Sequence, residues 1–401
     1  MRVCFVSRRY WPAVSGMSVY AENLLRELVA LGVEVVLVSQ YRDDEAGTRV
    51  YGGGPPPPER VPAGVEVHAR PSGGETVVPA DFEGDVDDLL DTVVRLHTDK
   101  PFDVLHAQYG YPPGLATLLA GARLGLPSVV SVQGGDGHWV GTCCATHRSA
   151  MWHVLTGSNA VLIGSASFRD EVVEHNRVDP ALFTIVPGAT DTTRFTPAAL
   201  PLGALSDPPV LLFHGRVDRR KGVLDLLDAL PDGVRLLVSG IGPDLDEARH
   251  RADARMTFLG YAAPHDAPQV YRSADVFVSP TYSEGFSNTI LEAMASGLPV
   301  VSTRSVGVVD CLRDDDNGLL HEPGDVAGLR KALERLLDDA ALRSRLASTA
   351  LEEVRRLYAW PVLARSVREV YERVAGTRVE ASPPLTAPDL ACRFRTAPHL
   401  L

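Results

Sequence analysis

Uninterrupted apolar runs recur along the chain, separated by longer stretches of helical period. In the first half they fall at 3–7, 33–39, 104–107, 128–132, 160–164 and 183–186. In the second half they fall at 210–214, 234–239, 256–260, 276–279, 299–302 and 318–321. Runs that do not alternate with polar residues predict strands buried on both faces, hence parallel sheets. The intervening stretches read as helices; in 18–31, Glu22 and Arg26 stand at the supporting i,i+4 spacing. Strand and helix in alternation, twice over, predict an α/β chain of two doubly wound Rossmann-like domains flanking a cleft.

The division is expected at residues 197–209, where Pro197, Pro201, Pro208 and Pro209 interrupt a polar stretch. Residues 1–196 would then form the first domain and 210–358 the second. Tyr358-Ala359-Trp360-Pro361 breaks the helical pattern, and a helix within 359–376 is expected to cross back to the first domain. Residues 377–401 hold several prolines and little periodicity, and read as a loosely packed tail. Two further stretches read as irregular: 52–62, stiffened by four consecutive prolines, and the acidic 73–91.

A length of 401 residues suits two domains, and a formal net charge of −12 opposes nucleic-acid binding and docking on an anionic membrane. The same charge would attract a small cationic substrate. No apolar run approaches the eighteen or so residues of a membrane span. The opening Met1-Arg2-Val3-Cys4-Phe5-Val6-Ser7 is too short before Arg8-Arg9 for a signal peptide and reads as a first strand. Five cysteines, none in CxxC spacing, predict reduced thiols in a cytoplasmic protein. Vicinal Cys143-Cys144 near His138 and His147 is the one weak candidate for zinc, and no metal is expected.

The chemistry concentrates where predicted strands end. Glu284 and Glu292 frame a segment that follows the strand at 276–279 and enters a helix closed by Gly297. Ligands of open α/β sheets bind at that strand edge, and a helix start offers N–H groups and a positive dipole end to a phosphate. A carboxylate on either side could grip the two sugars of a nucleotide sugar. After the strand at 210–214, Arg216 and Lys221 project from one loop, so a fork and a point charge could meet one diphosphate. Lys221 is one of only three lysines, with Lys100 and Lys331. The alternative for this loop is a solvated basic turn.

In the first half, the turn Tyr10-Trp11-Pro12-Ala13-Val14-Ser15-Gly16 joins strand to helix. Gly16 is either a turn glycine or a point of close backbone approach. Gln133-Gly134-Gly135-Asp136-Gly137-His138 points polar groups toward the expected cleft, and Asp136 is equally a helix cap. Neither GxGxxG nor a Walker loop occurs; Gly240-Ile241-Gly242 lacks its third glycine. Asp314-Asp315-Asp316-Asn317-Gly318 reads as a turn rather than a cation site.

Taken together, these elements resemble a retaining glycosyltransferase of family 4 with the GT-B fold, over nearly the whole chain from Arg2 to about Val374. The family's paired early glycines align with Ser15-Gly16. Its GR…KG element stands as Gly215-Arg216 and Lys221-Gly222, and its Glu–x7–Glu element as Glu284 and Glu292. The stretch from Val186 to Phe195 is similar to its PNGVD…RF segment, with Gly188 and Ala189 substituted. The resemblance implies that Arg216 and Lys221 hold a diphosphate and Glu292 the ribose. Glu284, with Gly285, Phe286 and Ser287, would hold the transferred sugar. Gly16, Gly260, Tyr261, Asn288 and Thr289 complete the implied donor set. The implied catalytic groups are Arg216, Lys221 and Glu284. Retention would proceed by same-face attack, with the leaving phosphate taking the acceptor proton and no metal involved. Gln133 stands where the family commonly has histidine.

A finer resemblance, carried by Ser7-Arg8-Arg9-Tyr10-Trp11-Pro12, by 52–58 and by Gly134 to Trp139, is to glycosyltransferases of aminoglycoside antibiotic biosynthesis. It implies a UDP-sugar donor and a polycationic 2-deoxystreptamine acceptor, met by Tyr10, Gln133, Asp136 and His138. The alternatives are a GT-B UDP-sugar 2-epimerase and a silent nucleotide-sugar sensor.

Overall fold

The computed structural model describes residues 1–43, 52–384 and 387–397 of the chain. It forms two compact units: Met1–Pro187 with the residues from Pro361 onward, and Gly188–Trp360.

The first unit carries a seven-stranded parallel sheet. Its strands are β1 (Arg2–Ser7), β2 (Glu34–Tyr41), β3 (Val65–Pro71), β4 (Val104–Gln108), β5 (Ser128–Val132), β6 (Ala160–Ile163) and β7 (Phe183–Ile185). Their order is β3-β2-β1-β4-β5-β6-β7, so the winding reverses between β1 and β4. The inner strands are buried throughout, as their continuous apolar runs require. Edge strand β3 is half-exposed, and its sequence Val-Glu-Val-His-Ala-Arg-Pro mixes polar residues accordingly.

The second unit is a six-stranded parallel sheet of β8 (Val210–His214), β9 (Arg235–Ser239), β10 (Met256–Gly260), β11 (Val276–Ser279), β12 (Val300–Thr303) and β13 (Leu319–His321). The order β10-β9-β8-β11-β12-β13 reverses between β8 and β11. Leu212 and Phe277 face one core with Ile290, Leu291 and Met294; Leu211 and Val276 face the other with Val223, Leu226 and Leu333.

The division between units falls earlier than the proline-rich segment 197–209. Phe195 sits in the second unit's core, and a Cβ on Gly188 would touch Asn288 and Phe286 at 2.6 and 2.7 Å, so residues 188–209 pack on the second sheet. The helix Trp360–Val374 leaves that unit at its first residue. Its Tyr371 is buried against His106 of β4, hydroxyl to Nδ1 at 2.5 Å.

Two stretches differ from the sequence expectation. The acidic region holds the helix Phe82–Asp99: Asp81 caps it by accepting the Gly84 N–H at 2.9 Å, and Glu83 and Asp85 occupy its first turn. Acidic residues there complement the positive end of the helix. The described tail residues 377–384 and 387–397 are also packed rather than loose, while 385–386 and 398–401 lie outside the described residues. Val379, Cys392, Phe394 and Arg395 are buried, and Arg395 donates to the Ala80 carbonyl at 2.8 Å and pairs with Glu83. Among the described residues no helix is long and apolar enough to cross a membrane.

Candidate functional site

The second unit gathers its charged loops at the carboxyl ends of β8 and β11, the point where its winding reverses. The loop after β8 makes a short turn, Arg219–Lys221, capped by Asp218, whose side chain accepts the Arg220 N–H. It closes on Gly222 at φ +70°, where a Cβ would lie 2.0 Å from the Pro280 carbonyl oxygen. Only glycine permits that approach. The Tyr282 N–H donates to the Arg220 carbonyl at 2.9 Å, tying this loop to the one after β11. Lys221 Nζ consequently meets Glu284 Oε1 at 2.7 Å, with both side chains partly exposed. Glu284 is fixed from a third loop: its N–H donates to the Val306 carbonyl at 3.0 Å, and Gly307 (φ +76°) leaves no room for a Cβ beside its carbonyl oxygen.

Arg216 leans on Asp218 at 3.4 Å and remains the most loosely held guanidinium of this loop. Arg219 is engaged by Asp244 and Glu247, and Arg220 by Asp218, so these two are surface ion pairs rather than ligand groups. Burial raises the Asp218 carboxyl, but Arg220 outweighs it and holds the group below the usual carboxylate range.

Ser287 occupies the N-cap of the helix Asn288–Ala295 without a side-chain bond to its N–H groups; its hydroxyl lies 3.3 Å from that of Thr289. An uncapped helix start of this kind suits an anion. Phe286 packs against Tyr358, and Gly285 lies in the loop between Glu284 and that helix. Glu292, in the helix's second turn, is half-buried and accepts the Tyr271 hydroxyl at 2.8 Å. Burial pushes its carboxyl up to about 7, against the opposing pull of Tyr271 and of Arg194. Gly260 ends β10 at φ +73° with its carbonyl bonded to the Gly240 N–H, and Tyr261 follows it, exposed. The Gly240-Ile241-Gly242 glycines are explained by packing: Cβ atoms there would strike the Gly215 and Val217 carbonyls. Sequence reasoning missed Tyr271 and Asp218, whose roles depend on partners in other elements.

In the first unit, Gly16 opens the helix Gly16–Ala30, with Ser15 as its cap. It has no positive φ, and a Cβ there would meet nothing within 4 Å. Nothing within the unit therefore requires glycine at this position. Gln133, just beyond β5, accepts from Gln108 at 2.8 Å, and Gln108 also bonds the Met17 carbonyl. The other three expected acceptor residues have internal partners. Tyr10 is buried with its hydroxyl on the Arg60 carbonyl at 2.7 Å. Asp136 is fully buried and accepts N–H groups of Gly110, Gln133 and Gly134, so it holds the loop together rather than facing solvent. His138 is buried on Phe168, with Nδ1 2.6 Å from Glu171. A pocket beside the Gly16 turn is lined by Arg8, Arg9, Arg42, Gln40 and Ser72.

For metals, the weak candidate named from sequence changes membership. His138 is elsewhere, but Cys143, Cys144 and His147 are joined by Cys392, with all four donor atoms within 4.8 Å of one another.

Two parallel Rossmann-like sheets, each reversing its winding once, are the architecture of the GT-B fold. Residues 15–189 match the family described as "Glycosyl transferase 4-like domain", and 208–339 match "Glycosyl transferases group 1". The chain is 30% identical to the D-inositol 3-phosphate glycosyltransferase of Stackebrandtia nassauensis over 398 residues, covering 89% of this chain and 86% of that one. Sucrose-phosphate synthase from Thermosynechococcus elongatus superposes with a TM-score of 0.74 at 22% identity, over 93% of this chain and 98% of that one. HepE of Anabaena, solved with UDP-glucose, gives 0.70 at 18% identity, over 93% and 100%. The chain belongs to the group 1, GT4-like glycosyltransferase family.

Proposed function

We propose that the chain is a retaining, metal-independent glycosyltransferase of the cytoplasm, moving a sugar from a UDP-sugar to a hydroxyl of a small acceptor. The observation that carries this reading is the Lys221–Glu284 pair at the winding reversal, with Arg216 on the same loop. A partly exposed ion pair is worth about 1 kcal/mol or less, so an arriving donor can part it cheaply. Lys221 and Arg216 then take the diphosphate, aided by the uncapped helix start at Asn288. Glu284, released, accepts hydroxyls of the transferred sugar. Glu292 accepts the ribose hydroxyls, with Tyr271 holding its orientation. As the acceptor oxygen bonds to the sugar's C1 on the face being vacated, the C1–O bond to the diphosphate breaks. The acceptor proton passes to the departing phosphate oxygen, and the two cations balance the charge that develops there.

For the acceptor, we favour an aminocyclitol of the 2-deoxystreptamine type, supported by the resemblance of the Tyr10 and Gln133–Trp139 segments and by the chain's net charge of −12. A phosphate-bearing cyclitol is a second reading, favoured by Arg8, Arg9 and Arg42 around the first unit's pocket and by the inositol-phosphate relative. Mass spectrometry of products from a panel of UDP-sugars, each offered with aminocyclitols, inositol phosphates or no acceptor, separates these. Mass gain of one glycosyl unit on an aminocyclitol supports the favoured reading. Gain only on inositol phosphate selects the second, and isomerised donor without acceptor would mean an epimerase.

A further inference from the structure

A break between two helices of the first unit gathers groups that the proposed transfer does not use. The single turn Gly141–Cys143 ends where Cys144 opens into extended backbone (φ −162°, ψ 170°) and caps the helix Ala145–Gly157, its sulfur accepting the His147 N–H at 3.4 Å. The break turns two adjacent thiols to the same side, with Sγ atoms 4.0 Å apart. His147, one helical turn on, brings Nδ1 to 3.0 Å from Cys143 Sγ. The fourth group comes from the chain's far end: Cys392, capping the turn Arg393–Thr396, places its sulfur 3.5 Å from the same Nδ1. His147 and Cys392 are buried, and Cys143 and Cys144 partly so.

We propose that Cys143, Cys144, His147 and Cys392 form a structural zinc site that clips residues 387–397 to the helix Ala145–Gly157. Zinc binds thiolate sulfur at about 2.3 Å and imidazole nitrogen at about 2.0–2.1 Å, so a tetrahedron has edges of about 3.8 Å between sulfurs and about 3.5 Å between sulfur and nitrogen. Three of the six separations, at 4.0, 3.5 and 3.0 Å, match those edges to within about half an ångström, and all four donor atoms lie within 4.8 Å of one another. Three soft thiolates and an imidazole select zinc over magnesium or calcium, and four protein ligands leave no open position for chemistry. Zn²⁺ displaces one proton from each of three thiols, leaving one net negative charge on the centre. Rings of Phe82, Tyr111 and Phe394 pack around the imidazole, and Nδ1 is the nitrogen that faces the Cys143 and Cys392 sulfurs.

The clip has a clear purpose. Residues 387–397 contain only one four-residue helical turn. They are held by Thr146, which donates to the Ala387 carbonyl at 2.9 Å and accepts from the Asp389 N–H, by Arg395 on the Ala80 carbonyl and on Glu83, and by the buried Phe394. A metal bond from Cys392 to the start of Ala145–Gly157 adds a further tie to these contacts.

The test is the metal content of the full-length protein, expressed in medium supplied with zinc chloride and purified without chelator or metal-affinity resin. Mass-spectrometric elemental analysis should find about one zinc per chain, and Cys392→Ser should lower it to below about one tenth. Cobalt(II) substituted into the wild-type protein should show sulfur-to-cobalt charge-transfer bands and the intense visible bands of a tetrahedral thiolate site, a readout independent of how the variant folds. Folded wild-type protein without zinc would overturn the proposal. So would zinc retained in Cys392→Ser, or a peptide joining Cys392 to Cys143 or Cys144 by a disulfide in non-reducing digests.

Discussion

Glu292 carries the sharpest residue-scale expectation because burial pushes its carboxyl up to about 7 from an ordinary 4.5. A carboxyl raised on folding contributes stability that is fully present below 4.5 and is lost as pH rises through 7. Ribose hydroxyls favour the ionised form, so UDP binding should work in the opposite direction. With a pKa near 7, the ionised fraction rises about tenfold between pH 6 and 8, and UDP affinity should rise by the same factor. Glu292→Gln should flatten this dependence; calorimetric titrations at the two pH values give the comparison, and an equally steep profile in the variant would remove Glu292 from the ribose site. The placement of Arg216, Lys221, Glu284 and Glu292 after β8 and β11 was legible in the sequence because each follows a recognisable strand. Tyr10, Asp136 and His138 were legible only as polar residues in loops. Whether such a side chain faces a ligand or the interior depends on partners elsewhere: Arg60 for Tyr10, Gly110 for Asp136 and Glu171 for His138.

Among elements, the inner strands announced themselves through continuous apolar runs, and edge strand β3 did not, because one exposed side admits Glu66, His68 and Arg70. The start of the helix Phe82–Asp99 was hidden by its own acidic first turn, which reads as a charge run until the cap at Asp81 is seen. The loop after β8 depends on one position. Gly222→Ala would force an L side chain into φ +70° and against the Pro280 carbonyl. Left-handed backbone at a non-glycine residue costs about 1–3 kcal/mol, so urea unfolding of the second unit should shift by that amount or more. Because Lys221 precedes the strained residue, UDP affinity should fall with it; unchanged stability and affinity would mean that the turn tolerates a Cβ.

Across the whole molecule, two features lay beyond local pattern: residues 188–209 belong with the second unit, and residues 387–397 pack within the first. Both rest on contacts between segments far apart in sequence, such as Arg395 with Glu83, which periodicity does not encode. The net charge of −12 bears on acceptor choice. Long-range attraction should make kcat/KM for an aminocyclitol fall about three- to tenfold between low and high salt, whereas a phosphate-bearing acceptor would gain from screening. A salt-independent rate would show that the overall charge has no part in recognition. The central claim, that Lys221 with Arg216 grips a nucleoside diphosphate at the second unit's winding reversal, is tested most directly by calorimetric titration of UDP into wild-type and Lys221→Ala protein. Loss of one charge-assisted contact, about 1.5–3 kcal/mol, should weaken UDP binding by about ten- to a hundredfold. Equal affinity in a correctly folded variant would contradict it.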